Sequence, residues 1–100
     1  MALLSDAEIE QRLAAVGDWR RGEGSPPSAD DAIVRDLKFA DFAAAIAFVN
    51  DVAQAAEAAN HHPDILVHGW NKVRLTLSTH SQGGLTDADF QLAGQIDRLA

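Results

Sequence analysis

Three of the four histidines of this chain fall within one short stretch: His61 and His62 are adjacent, and His80 follows them. Histidine is the side chain whose ordinary pKa lets it both give and take a proton near neutral pH. Strand-like segments at 65–69 and 72–79 lie between them and predict an antiparallel hairpin that turns near Trp70 and Asn71. Such a hairpin brings the three histidines to one edge of a sheet, where they form a candidate acid/base site.

Two carboxylates, Glu57 and Asp89, could orient these imidazole rings. Glu57 lies one helical turn before His61, and Asp89 lies in the first turn of the last predicted helix. A carboxylate beside a histidine fixes the tautomer of the ring and favours its charged form. Each carboxylate also has a simpler explanation, because Glu57 suits a solvated helix surface and Asp89 suits a helix cap. On the residues alone, capping is the better explanation for Asp89.

The two adjacent histidines should differ in role. The residue before a proline is pushed toward extended geometry, and Pro63 follows this pair, so His61 and His62 should project in different directions. Three histidines and a carboxylate could also bind a divalent metal ion. However, adjacent histidines that face apart rarely bind one ion, and their spacing matches no standard metal motif. We therefore expect a site without metal or cofactor.

The composition excludes several classes of protein. The chain has no cysteine, so it has no disulfide and no thiolate, which fits a reducing compartment such as the cytoplasm. Its net charge is -7 and its eight basic residues are scattered, which disfavours direct binding to nucleic acid or an anionic membrane. The longest apolar run, 42–49, is far shorter than the roughly 20 residues of a spanning helix, and no export signal is apparent at residues 1–4.

Capping signals predict three helices. Ser5 with Glu8, and Thr86 with Asp89, have the spacing of capping boxes, and Asp41 suits the N-cap of a long middle helix. The first helix is expected to reach 17, and the last to run to the C-terminus.

Strand-like segments separate these helices at 19–21, 32–39, 65–69 and 72–79. The segment 22–31 is rich in glycine, proline and serine and is predicted to be a flexible loop. The simplest packing is a single α+β domain over residues 1–100, in the order α-β-β-α-β-β-α. It has a four-stranded antiparallel sheet with three helices on one face.

The middle helix carries two apolar stripes. The first comprises Phe42, Ile46, Val49, Ala53 and Ala56, and the second comprises Ala45, Phe48, Val52, Ala55 and Ala59. One stripe can cover the sheet, and the alanine-rich second stripe could meet a helix of another subunit or be buried within the monomer. An open sheet leaves edge strands that proteins tend to cover. We therefore expect a homo-oligomer, either a dimer or a tetramer.

The spacing of these residues resembles the signature of the pterin-4a-carbinolamine dehydratases. The positions that agree are Glu57, the run 61–63, Trp70, His80 and Asp89, and segments 39–42, 71–73, 75–80 and 83–86 are also similar to that family. The similarity covers nearly the whole chain. It implies the dehydration of a 4a-hydroxytetrahydropterin to the quinonoid dihydropterin, which recycles the pterin after an aromatic amino acid hydroxylase has used it.

The roles of these positions in such a reaction can be argued in part from the residues. His61 and His80 are the acid/base candidates, because the hairpin pairing places them closest across the edge, whereas His62 would bind the pterin or orient its neighbours. Glu57 and Asp89 would hold the imidazoles, with no metal required. The resemblance favours Trp70 as a stacking platform, although the residues alone favour a buried position in the hairpin.

The resemblance also implies an alternative function of another class. Some members of that family act as dimerisation cofactors for a homeodomain transcription factor through their helical surface. On that alternative, the chain is a protein-interaction module, and the histidines need not take part.

Overall fold

A computed structural model describes residues 2–23 and 31–100 of the chain. The elements in order are α1 (Asp6–Leu13), β1 (Arg20–Glu23), β2 (Asp31–Lys38), α2 (Phe42–Ala59), β3 (Asp64–His68), β4 (Lys72–Leu77), a 3₁₀ turn (His80–Gln82) and α3 (Asp87–Leu99). This order confirms the predicted α-β-β-α-β-β-α arrangement. Of the loop predicted at 22–31, positions 24–30 lie outside the described residues, and its two ends belong to strands.

The four strands form one antiparallel sheet in the order β1-β2-β4-β3. Because alternate residues of a strand share a face, the paired residues Leu37 and Val73 lie on the same side, as do Ile33 and Leu77. This side packs against residues of α1, α2 and α3 in one hydrophobic core. The predicted α+β fold, with its helices on one face of the sheet, is therefore confirmed.

The predicted caps form at all three helices. Ser5 and Thr86 each complete a capping box, and Asp41 accepts a hydrogen bond from the backbone of Ala44 at 2.7 Å. Helix α1 is shorter than expected, because the chain tightens after Leu13 into turns such as that closed by Val16 N and Leu13 O. None of the helices in 2–23 and 31–100 combines the length and the apolar character needed to cross a membrane.

The structure decides between the two alternatives that the sequence left for the alanine-rich stripe of α2. The alanine-rich stripe faces the core of the same chain, since Ala45, Phe48 and Val52 are all buried and Ala45 is 0% exposed. In the other stripe, Phe42 is an exposed large apolar side chain and Ala53 is exposed as well. Of the two alternatives for this stripe, the structure therefore favours burial within the monomer over a contact between subunits through Ala45. The surface left for a partner is the side of Phe42.

The hairpin of β3 and β4 turns at Gly69 and Trp70, both of which have positive φ, at 55° and 60°. Trp70 is 62% exposed, so the buried position that the residues alone favoured for it is wrong. A left-handed backbone costs a bulky side chain free energy, whereas glycine and asparagine adopt it readily. The turn therefore holds a strained aromatic residue that buries little surface.

We predict that Trp70→Asn raises the free energy of unfolding by about 1 kcal/mol, because asparagine adopts this backbone conformation at lower cost. Urea denaturation of both proteins measures the difference. The control is Asn60 at the C-cap of α2, which also has a positive φ, at 50°. Asn60→Ala replaces a residue that adopts this backbone readily with one that does not, so it should lower the free energy of unfolding. A less stable Trp70→Asn protein would show that the indole makes a stabilising contact that outweighs the strain.

Candidate active site

His61 lies just before β3 and binds the carboxylate of Asp89 at the start of α3. The distance from His61 Nε2 to Asp89 Oδ1 is 2.6 Å, and only 14% of the His61 side chain is exposed. A carboxylate accepts hydrogen bonds and donates none, so Nε2 carries the proton of a neutral ring. The other ring nitrogen, Nδ1, is then the atom of His61 that can accept a proton.

Asp89 both caps α3 and binds His61, the two roles between which the sequence left a choice. Its Oδ2 accepts the N-cap hydrogen bond from Thr86 N at 2.9 Å and a second bond from Thr79 Oγ1 at 2.8 Å, while Oδ1 binds His61. The residue is 0% exposed. A buried carboxylate is costly unless hydrogen bonds compensate for the lost water, and three donors do so here. Capping of α3 and positioning of His61 thus depend on one side chain.

Thr79 is a part of this site that the sequence analysis missed. Its hydroxyl donates to Asp89 and also lies 2.8 Å from Thr86 Oγ1, so Thr79 contacts both the buried carboxylate and the N-cap residue of α3. Its backbone pairs with Gly84 across the 3₁₀ turn that begins at His80. The position of Thr79 directly before a candidate histidine, at the end of a strand, was the available signal.

His62 points to a different carboxylate from His61. His62 Nε2 lies 2.6 Å from Glu57 Oε2 near the end of α2, and both side chains are largely exposed. The two adjacent rings therefore contact different helices, α3 and α2. This pair is open to solvent, so it can change partners at little cost, whereas the pair of His61 and Asp89 cannot.

His80 begins the 3₁₀ turn that follows β4 and faces Asp64, the first residue of β3. The distance from His80 Nε2 to Asp64 Oδ2 is 4.0 Å, and 58% of the His80 side chain is exposed. Asp64 was not among the predicted site residues. Its place directly after Pro63, and its pairing with Thr76 in the hairpin, are the features that could have identified it.

The hairpin thus collects the histidines at one end of the sheet and leaves Trp70 at the other. His61 and His62 precede β3 and His80 follows β4, so the antiparallel pairing places them at the same edge. Trp70 lies in the turn at the far end of β3, whose five residues span roughly 13 Å. Within one chain, the structure does not bring Trp70 to the histidines.

The wall beside His80 includes the N-terminal segment. Leu4 N donates a hydrogen bond to Leu85 O at 2.9 Å, and a Cβ atom placed on Gly84 would lie 3.1 Å from the side chain of Leu3. Gly83 at the end of the 3₁₀ turn has a φ of 73°, a left-handed conformation that glycine adopts without steric cost. The loop that carries His80 is therefore held on both sides.

The cluster has the chemistry of proton transfer. It contains three imidazoles, each beside a carboxylate, of which one pair is buried and two are exposed. Within the described residues, no three side chains of histidine, aspartate or glutamate converge in an arrangement suited to a metal ion. Acid/base chemistry on a small molecule is what this arrangement can perform directly.

We predict that Thr79→Val lowers the free energy of unfolding by about 1–3 kcal/mol, because Asp89 loses a donor while it stays buried. The signal of the His61 ring in NMR spectra should shift as well, since its carboxylate partner is no longer fixed. Thr76→Val is the matched control: Thr76 is buried on the same hairpin, but it lies in β4 opposite Val34 and Asp64 and is not among the donors to Asp89. Equal stability losses for the two variants would contradict a special role of Thr79.

Comparisons with known proteins identify relatives of this chain in sequence and in fold. The family model of pterin 4 alpha carbinolamine dehydratase matches residues 2–99. A protein of Chloroflexus aggregans, whose name as a pterin-4-alpha-carbinolamine dehydratase is provisional, is 50% identical over 99 residues, which are 99% of this chain and 98% of the relative.

Two solved structures share the fold. The crystal structure of a transcriptional coactivator/pterin dehydratase from Brucella melitensis has a TM-score of 0.87 and 32% identity, and the match covers 99% of each chain. A pterin dehydratase-like protein identified as a RuBisCO assembly factor in the α-carboxysome has a TM-score of 0.66 and 25% identity, over 83% of this chain and 89% of its own. Since the family model and a relative of 50% identity both span almost all of the sequence, the chain belongs to the pterin 4 alpha carbinolamine dehydratase family.

Proposed function

We propose that this protein dehydrates a 4a-hydroxytetrahydropterin to the quinonoid dihydropterin. The observation that carries the proposal is the cluster of three histidine–carboxylate pairs at one edge of the sheet, in a chain that belongs to a dehydratase family. The physiological setting we propose is pterin recycling after an aromatic amino acid hydroxylase, in the cytoplasm. The absence of cysteine from the sequence fits such a reducing compartment.

The proposed reaction needs one proton donor and one proton acceptor. A donor protonates the hydroxyl oxygen on C4a, the carbon–oxygen bond breaks and water leaves. An acceptor takes a proton from a ring nitrogen, and a carbon–nitrogen double bond forms. Positioned groups of this kind typically contribute about 10² to 10⁴-fold each to the rate.

The geometry favours a division of these roles between His61 and His80. Asp89 binds Nε2 of His61 and leaves Nδ1 as a fixed proton acceptor, so His61 suits the base. His80 is exposed and only 4.0 Å from a carboxylate, so it can present a proton to the leaving hydroxyl. His62, bound to the exposed Glu57, suits a role in holding the pterin. Within one chain, Trp70 lies at the opposite end of β3 from these histidines. It remains a candidate for substrate contact only in an oligomer that places it beside the histidines of another chain.

We predict that the purified protein accelerates this dehydration, and that His61→Ala and His80→Ala each lower kcat/KM by roughly 10² or more. The measurement is a spectroscopic assay with freshly generated 4a-hydroxytetrahydropterin. His68→Ala is the control, because it removes a histidine that lies outside the cluster, at the far end of β3.

The same assay tests the alternatives. Wild-type turnover no faster than buffer, with the substrate shown to be present, would refute the enzymatic proposal. Activity should also persist after exhaustive chelation, since proton transfer by imidazoles needs no metal. Loss of activity on chelation, with recovery when one metal is returned, would instead assign the histidines to a metal site.

A second candidate function is that of a protein-interaction module. It is favoured by the two structural relatives described as a coactivator/pterin dehydratase and as a RuBisCO assembly factor, and by the exposed side of α2 around Phe42. This function would survive replacement of His61 and His80. The two candidate functions can therefore be separated with the same histidine variants.

We also propose that the protein is a homo-oligomer, either a dimer or a tetramer. Edge strand β3 exposes Leu66, and α2 exposes Phe42, which are surfaces that a second copy can cover. Light scattering should show more than one chain per particle, and Phe42→Glu should weaken the assembly. Ala47→Glu adds the same charge at an exposed position on another side of α2 and should not. A monomeric wild-type protein at micromolar concentration would contradict the proposal.

A further inference from the structure

The face of the sheet opposite the helices carries a row of basic side chains. Lys38 on β2 pairs in register with Lys72 on β4, and Lys72 pairs with His68 on β3. Directly paired residues of neighbouring strands point to the same side. All three are exposed. One row across three adjacent strands therefore holds two ammonium groups and an imidazole.

This row is unusual because its charges are not compensated. The chain has only two lysines, and they face each other here, although like charges directly opposite in a sheet are destabilising. Five of the six arginines form ion pairs with carboxylates, namely Arg12, Arg20, Arg21, Arg35 and Arg74. Neither lysine has a carboxylate within ion-pair distance in the described part of the chain. The chain has 15 acidic residues, so a shortage of carboxylates does not explain why the two lysines lack one.

The row lines a cavity of about 250 Å³, which Asp36, Leu37 and Arg74 complete. The one carboxylate in its lining is already engaged, because Asp36 binds Arg74 Nε at 2.7 Å and Arg20 Nη2 at 2.8 Å. The hydrogen bond from Arg74 is the main cause that lowers the pKa of Asp36; partial burial opposes it and Arg20 adds to it. Asp36 thus neutralises arginine charge and leaves the two lysines without a partner.

We propose that this cavity binds the phosphoryl group of a small soluble molecule. A phosphate monoester carries close to two negative charges and three acceptor oxygens, which match two ammonium groups that have only donors. The cavity is large enough for a compact group of this kind. Such a ligand would remove the repulsion between Lys38 and Lys72 on binding.

This site is separate from the histidine cluster. Both lysines and His68 lie at the end of the sheet where β3 ends and β4 begins, and His61 and His80 lie at the other end. The length of β3, roughly 13 Å, separates them within the chain. The proposed ligand is therefore an additional one, and its binding does not require that the protein be a dehydratase.

The test is a titration of the isotope-labelled protein with inorganic phosphate and with glycerol 3-phosphate, followed by NMR at constant ionic strength. The backbone amide signals of Lys38, Lys72 and His68 should shift in a saturable way, and glycerol should have no effect. Lys72→Gln should weaken binding on the order of tenfold or more, because a charge-assisted hydrogen bond is lost. Arg98→Gln removes the same charge from an exposed position on α3 and should leave binding unchanged.

A second measurement is the melting temperature, and its first part needs no ligand. In phosphate-free buffer, Lys72→Gln should raise Tm by about 1–5 °C, since the repulsion from Lys38 is removed. Phosphate should then raise Tm of the wild-type protein more than that of the variant. A variant of lower Tm in phosphate-free buffer would overturn the claim that the lysines are held against repulsion.

Three other outcomes would overturn the proposal. The first is an equal response of Lys72→Gln and Arg98→Gln to phosphate, which would indicate only general charge screening. The second is binding by vesicles that contain phosphatidic acid, with no response to the soluble phosphates. The third is a shift of these amide signals with protein concentration and not with phosphate, which would assign the face to a contact between copies of the chain.

Discussion

The structure of the site depends on one buried carboxylate. Asp89 is shielded from water, and its two oxygens accept hydrogen bonds from three parts of the chain: the N-cap of α3, the residue before the 3₁₀ turn and the segment before β3. An ionised carboxylate in such a place is tolerable only with all its donors present. The position of His61 is therefore tied to the cap of a helix and to the closure of the sheet. Loosening any one of these contacts disturbs the other two.

Local sequence signals were sufficient for most of the fold. Capping residues mark where helices begin because they satisfy backbone groups next to them, and this is a short-range effect that Ser5, Asp41 and Thr86 display in the sequence itself. The same holds for the hairpin, because the alternating pattern and the turn fix its register. Its end is less predictable: β4 stops at Leu77 and not at 79, and a 3₁₀ turn follows from His80.

The errors of sequence reasoning arose where the answer depends on distant partners. Which stripe of α2 faces the core is decided by the sheet and α3, and the alanine-rich stripe fits there because small side chains allow close approach. The contact of Thr79 with Asp89 joins residues on either side of the 3₁₀ turn, and the place of Thr79 before His80 does not reveal that partner. The basic residues look scattered along the chain, yet the register of three strands places Lys38, Lys72 and His68 in one row.

The contact of Leu3 and Leu4 with the loop at 84–85 has a consequence for local opening of the molecule. The first residues of a domain usually fray, and here their departure would remove a hydrogen bond and a packing partner from the loop that carries His80. Local opening of residues 3–4 would therefore also loosen this loop. The contact thus couples these residues to a histidine about 80 positions later.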